Sequence, residues 1–127
     1  MTIPNDTLTR ARYVNLETFR KDGRGVKTPV WIAEREGRLY AFSQANAGKV
    51  KRIRGQGRVR MATCRPWGTV TGEWVEGSAT VLTRGDHTAR ARDLLRKKYG
   101  LLGWIAFTLG AAKDRAGQRA YLEITLD

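Results

Sequence analysis

This sequence is poor in the residues that usually carry catalysis. It has one cysteine, Cys64, and one histidine, His87. A single cysteine cannot form an internal disulfide, and one His with one Cys makes no zinc constellation. A serine triad or cysteine protease would have to rest on His87 alone, which sits beside Asp86 where a capping or exposed role is expected. Cys64 fits a small buried apolar residue. No paired acid–base motif stands out, so no catalytic residue is assigned. No apolar run reaches the roughly 20 residues of a membrane span; residues 101–112 come nearest and are interrupted by Gly103, Thr108 and Gly110. They suit a buried or interfacial helix, with peripheral membrane contact as the alternative. The first residues lack an apolar signal region, and with the cysteine usage the expectation is a cytoplasmic protein.

Carboxylates are also scarce in one place. From Gly37 to Gly72 there is none, against eight Lys or Arg residues. Over the whole chain of 127 residues, 24 basic side chains face 12 acidic ones, a formal charge of +12. That balance implies a polyanionic partner: nucleic acid, an anionic membrane or a multiply charged small ligand. The length suits one domain, 1–127, which buries about two-thirds of its unfolded surface.

Most of the chain has strand character. Residues 12–19 alternate, with Val14, Leu16 and Thr18 on one face and Asn15 and Glu17 on the other, as in a half-buried strand. An Asp22-Gly23 turn leads to a strand over 26–34, in which Pro29 signals an edge or a local break. Further strands are expected at 38–43, 58–64, 69–82 and 120–126. Between the third and fourth, a small-residue turn containing Ala47 and Gly48 opens a short basic helix, residues 49–54. Residues 1–9 suit a flexible arm. Residues 86–112 form a helical insert before the last strand, with Gly100 ending its first helix. Short strands at hairpin spacing point to a sandwich or closed barrel.

The turn into the basic helix is the strongest functional signal. Unpaired amides and the helix dipole favour an anion there, and Lys49 adds a full charge. Lys51, Arg52 and Arg54 cannot all face one groove, because helical positions two apart diverge. Arg58 and Arg60 share a strand face, which either extends a positive groove or is solvated. Ser43 either contacts a ligand or ends its strand. Trp74, beside the Gly72 bend, is the best of the four tryptophans for lining a pocket.

In order along the chain, Lys27-Thr28-Pro29-Val30-Trp31-Ile32, Leu39-Tyr40-Ala41-Phe42-Ser43, Ala47-Gly48-Lys49-Val50-Lys51-Arg52-Ile53-Arg54, Trp74-Val75-Glu76-Gly77-Ser78-Ala79 and Leu95-Arg96-Lys97-Lys98-Tyr99-Gly100 resemble a family. It is that of the small flavin- and deazaflavin-dependent oxidoreductases, relatives of pyridoxamine-phosphate oxidase, and within it the actinobacterial branch described as coenzyme F420-dependent. The resemblance implies a mainly β fold, an antiparallel split β-barrel of six to seven strands like the FMN-binding proteins. It also implies a homodimer with the cofactor in a groove at the subunit interface. Lys49, with Gly48 and Ala47, would hold the cofactor phosphate, and Lys51, Arg52 and Arg54 its anionic tail. Pro29, Val30 and Trp31 would lie along the ring. Relatives often carry Ser-Gly-Lys where this chain has Ala47-Gly48-Lys49, so one phosphate-binding hydroxyl is missing.

The expected activity is hydride transfer from reduced coenzyme F420 to an unsaturated small molecule, with Tyr99, Trp104 and Phe107 as candidate walls of the substrate pocket. The high positive charge favours F420, with its phosphodiester and polyglutamate tail, over FMN. An FMN-binding protein or cofactor carrier without turnover is the alternative. A basic nucleic-acid-binding barrel is the second; it ranks lower because no aromatic–basic–aromatic strand motif is present.

Overall fold

The computed structural model describes residues 8–44, 47–113 and 119–127, and the side chains of 8–43, 47–100 and 119–127. Seven strands and two longer helices follow one another as β1 (Val14–Phe19), β2 (Gly25–Val30), β3 (Ile32–Arg35), β4 (Arg38–Gln44), α1 (Gly48–Gly55), β5 (Arg58–Thr63), β6 (Val75–Val81), α2 (Gly85–Lys113) and β7 (Arg119–Leu126). All strand pairs are antiparallel, in the order β2-β1-β5-β6-β7-β4-β3.

The two outermost strands of that order, β2 and β3, are joined by Trp31 alone. Val30 pairs with Val14 of β1, and Ile32 pairs with Ala41 of β4. The sheet therefore curls until its edges meet through one residue. Beyond that residue β2 stays with β1 while β4 stays with β7, and the barrel is split there. The continuous strand expected over 26–34 is thus two strands: a closing sheet must hand the chain from one neighbour to another. Pro29 is tolerated because β2 is an edge, where a missing ladder donor costs no pairing.

Local chemistry fixes the turns. Glu36 and Gly37, with φ of 53° and 82°, form the two-residue turn between β3 and β4, closed by the Gly37 amide donating to Glu34 Oε2 at 2.8 Å. Gly100, with φ 84° and ψ 162°, interrupts α2 where the sequence expects a helix end. Helical structure then continues to Lys113, in keeping with the helical insert expected over 86–112.

Two apolar layers result. Inside the barrel, Val14, Leu16, Ile32, Leu39, Met61, Leu122 and Ile124 are fully buried, and Ile53 of α1 joins them. Outside, α2 lays Ala91, Leu95 and Tyr99 against Ala33, Phe42 and Tyr121.

Three further expectations are corrected. The strand placed over 69–82 spans only Val75–Val81; residues 71–74 form a loop, preceded by an isolated Cys64–Val70 bridge. Leu8, assigned to a flexible arm, is buried in the barrel core, and Lys98 holds the Thr9 carbonyl at 3.2 Å. Residues 1–7 of that arm, and residues 45–46 of the turn before α1, lie outside the described residues. Asn15 and Glu17 are buried although they alternate with the barrel-facing positions. The Asn15 amide donates to Gly68 O at 2.9 Å, and Arg60 covers Glu17.

Candidate functional site

Helix α1 begins without help from side chains. Ala47 takes the N-cap position in extended geometry, offers no capping bond, and is followed by no acidic residue in the first turn. The first residues of the helix are instead Gly48 and Lys49. A cation at the positive end of a helix is unfavourable for the helix itself. The arrangement is favourable only when an anion completes it.

Three cations converge at this end. Lys49 is half-buried, and its Nζ donates to Ser43 Oγ at 3.2 Å. Burial, then the charge of Arg52, holds its pKa below the ordinary lysine value. The Arg52 side chain folds back over the helix start: a Cβ on Gly48 would sit 2.7 Å from Arg52 Nη1. Its Nε donates to Thr18 Oγ1 at 2.6 Å. Burial and Arg20 lower the pKa of Arg52 in turn. Among the described residues, Arg20, Lys49 and Arg52 have no carboxylate partner. Lys49 and Arg52 are half-buried and Arg20 is exposed; their combined positive charge is what a phosphate would neutralise.

The cluster lies beside the barrel seam. Counting two residues on from the Ile32–Ala41 pair sets Ser43 level with Val30 across the split. Trp31, at the seam, has its ring centroid 6.2 Å from that of Phe42. On β2, Thr28 alternates onto the inner side with Val26 and Val30, and its buried hydroxyl has no hydrogen-bond partner. Pro29 is exposed and Val30 buried. The structure thus brings Ala47, Gly48, Lys49, Arg52 and Ser43 together, with Pro29, Val30 and Trp31 along the neighbouring seam. A phosphate-bearing, ring-containing group fits this donor set.

Other candidates fall elsewhere. Lys51 and Arg54 are exposed on α1. Trp74 lies on the opposite face of the sheet, between Lys27 Nζ at 5.3 Å and Arg60 Cζ at 4.8 Å from its centroid. That is the face of Glu17, and Thr18, which binds Arg52, points to the other. Arg58 and Arg60 do not extend a free positive groove. Arg60 Nη2 binds Glu17 Oε1 at 2.6 Å, and Arg58 pairs with Glu76 and Asp127. Tyr99 is buried: its hydroxyl donates to Arg12 O at 2.6 Å and accepts from the Ile32 amide at 3.0 Å, which removes it from an open substrate wall. The side chains of Trp104 and Phe107 lie outside those described. Burial pushes the Cys64 thiol above its ordinary pKa, so it stays protonated near neutrality. Among the described residues no group of acids, histidine and cysteine could hold a metal.

Sequence reasoning missed Arg20 and Thr18, which reach the cluster from β1 and its turn. Their only sequence signal was a cation next to a strand end. It also missed Lys98, whose Nζ donates to the carbonyls of Ala11 and Ile32, both at 2.7 Å, as well as Thr9.

No protein-family model matches the chain, and no curated protein matches it in sequence. Solved structures do match its fold. A Listeria innocua protein named as a candidate pyridoxamine 5′-phosphate oxidase superposes with a TM-score of 0.66 at 11% identity, covering 98% of this chain and 94% of that one. A FAD-binding protein from Mesorhizobium loti gives 0.66 at 21% identity, over 97% and 84%. A structure named F420 reductase gives 0.62 at 18% identity, over 97% and 92%. At such identities the likeness is one of fold. The chain has the curled, seven-stranded antiparallel architecture of the pyridoxamine-phosphate-oxidase-like split barrels.

Proposed function

We propose that this chain binds a flavin-type cofactor by its phosphate at the start of α1 and acts as an oxidoreductase dependent on the deazaflavin coenzyme F420. One observation carries the reading: Lys49, Arg52 and Arg20 crowd an uncapped helix start with no carboxylate among the described residues. When bound, a deazaflavin supplies hydride transfer to an electron-poor double bond. The chain's own residues would do the rest. Lys49, with the α1 amides, holds the phosphate. Arg52, anchored by Thr18, neutralises it from the side. The β2 segment Pro29-Val30, with Trp31 at the seam, positions the ring and keeps water from one face. The formal charge of +12 supports the longer anionic tail of F420 over FMN. The reading includes a homodimer whose second copy completes the groove, and sedimentation equilibrium at the mass of two chains would support that part.

The deciding experiment is fluorescence titration of wild type and Lys49→Ala with F420 and with FMN. Loss of the Lys49 contact is expected to weaken F420 binding by roughly 1.5–3 kcal/mol. Equal affinity of the two proteins removes Lys49 from the site. Tight FMN binding with none of F420 favours a flavin carrier instead. A salt-sensitive oligonucleotide shift without flavin binding favours a nucleic-acid barrel, a reading weakened by the ion pairing of Arg58 and Arg60.

A further inference from the structure

A second cationic cleft lies away from α1. It has a volume of about 460 Å³ and is walled by Arg35 of β3, Arg38 and Tyr40 of β4, His87 and Arg90 of α2, and Glu123 of β7. Glu36 also lines it, and Leu82 and Leu94 provide an apolar patch. The two sites are separated in two ways. Arg38 and Ser43 are five residues apart on β4, about 17 Å along an extended strand. Arg38 and Tyr40 also alternate with the barrel-facing Leu39 and Ala41, whereas Ser43 shares the side of Leu39 and Ala41.

The charges in the cleft are unevenly committed. Glu123 Oε2 accepts from the Tyr40 hydroxyl at 2.9 Å and faces Arg38 Nη1 at 3.5 Å, so its charge is already met. Arg35 has no ion-pair partner among the described residues. Arg90 Nη2 and His87 Nε2 approach Asp86 only at 3.9 Å and 4.0 Å. Two planar guanidinium groups and an imidazole, from β3 and α2, therefore keep donors for an incoming oxyanion. Guanidinium forks match phosphate and carboxylate geometry. The volume exceeds what a bare phosphate needs and falls within the range of small-molecule sites, roughly 300–1,000 Å³. Leu82 and Leu94 offer a surface for an apolar body.

We infer that the cleft between α2 and the β3–β4 hairpin is a binding site for a small phosphate ester with an apolar body, separate from the α1 site. Arg35 and Arg90 take the phosphate, and Leu82 and Leu94 take the remainder.

The chain's one histidine makes the test local, because the proton NMR signals of the His87 ring need no assignment. Phenyl phosphate is titrated into wild type, Lys49→Ala and the double variant Arg35→Gln/Arg90→Gln at constant pH. The expected result is a saturable shift of the His87 resonances, the same in wild type and Lys49→Ala and weaker by at least about tenfold in the double variant, which loses two charge-assisted contacts. Arg35 and Arg90 are exposed, so their replacement leaves the core intact. The proposal is overturned if the His87 signals do not move, if the double variant responds like wild type, or if sodium chloride at matched ionic strength gives the same shift. A response abolished by Lys49→Ala also overturns it, by assigning the binding to α1. Failure of F420 to bind at α1 leaves the expected His87 result unchanged, so the two readings fail separately.

Discussion

Trp31 lies flat on Tyr99, with ring centroids 4.1 Å apart and planes 1° from parallel. The stack fixes the one residue at which the barrel changes partners. Beneath it, the Tyr99 hydroxyl accepts from the Ile32 amide at 3.0 Å and donates to Arg12 O at 2.6 Å. Burial pushes the phenol pKa up to about 12, so it remains a donor across the working range. Tyr99→Phe keeps the stack but strands a backbone amide and a carbonyl. It is expected to lower stability by about 2 kcal/mol, the cost of leaving buried polar groups unpaired. Urea denaturation measures this, and a variant within 0.5 kcal/mol, roughly the scatter of surface substitutions, would show that the bonds add nothing.

The Glu17–Arg60 pair makes a second stability prediction. The two residues face each other across β1 and β5, Glu17 is buried with a side chain only 7% exposed, and Arg60 stacks over Trp74. Arg60→Met preserves much of the apolar stem and leaves Glu17 buried without its cation. Because Arg60 itself is partly exposed, the expected loss is roughly 2–3 kcal/mol, at or below the lower end for fully buried pairs. Replacing both residues, as Glu17→Gln with Arg60→Met, should recover part of the loss. An additive double variant would show that the pair does not act as a unit.

Lys98 makes stability depend on pH in an unusual direction. Burial, then Arg12, moves its pKa down to about 8 from the ordinary 10.5. Its ammonium faces the carbonyls of Thr9, Ala11 and Ile32 and the Tyr99 ring, with no carboxylate among these contacts. Between these two pH values the unfolded chain holds a proton that the folded chain has released. Unfolding then takes up a proton, so this residue makes stability rise with pH across that window and adds no pH dependence well below it. The urea midpoint of wild type should therefore gain on that of Lys98→Met as pH is raised from 8 toward 10.5. A constant difference would mean the three carbonyls hold the proton as firmly as water does.

Much of this fold is visible in the chain as periodicity and turn chemistry. Val14, Leu16 and Thr18 alternate, Ala47-Gly48-Lys49 opens a helix, and Gly100 breaks one, each for a reason local to a few residues. The parts that could not be read are those set by distant partners. Val26 to Glu34 looks like one strand because nothing local marks Trp31 as the place where a sheet meets its own edge. Glu17 looks solvent-facing until Arg60 arrives from β5. Arg20 and Thr18 join Lys49, and Arg35 joins Arg90, only through tertiary approach. Sequence could thus point to one phosphate-sized turn, with Ser43 and Arg52 among its candidates, but neither to Arg20 and Thr18 nor to the second cleft.

The proposed α1 site can be tested without removing any charge. Gly48 carries no side chain where the Arg52 guanidinium rests, and a methyl there would fall 2.7 Å from Nη1. Arg52 is flexible enough to yield, so Gly48→Ala should leave the fold intact; alanine also favours a helix over glycine, by up to about 1 kcal/mol. The cost should fall on binding. Displaced from the helix start, Arg52 no longer reaches a phosphate held by Lys49, and the anion loses one charge-assisted partner. F420 affinity is expected to drop by about tenfold, equivalent to 1.4 kcal/mol, while thermal stability holds or rises. Arg52→Lys in the same titration separates charge from geometry: it keeps the cation but loses the fork that lets Nε bind Thr18 while the Nη atoms face the helix start. If Gly48→Ala binds F420 as tightly as wild type and Arg52→Lys does too, the phosphate is held by Lys49 and the α1 amides without Arg52.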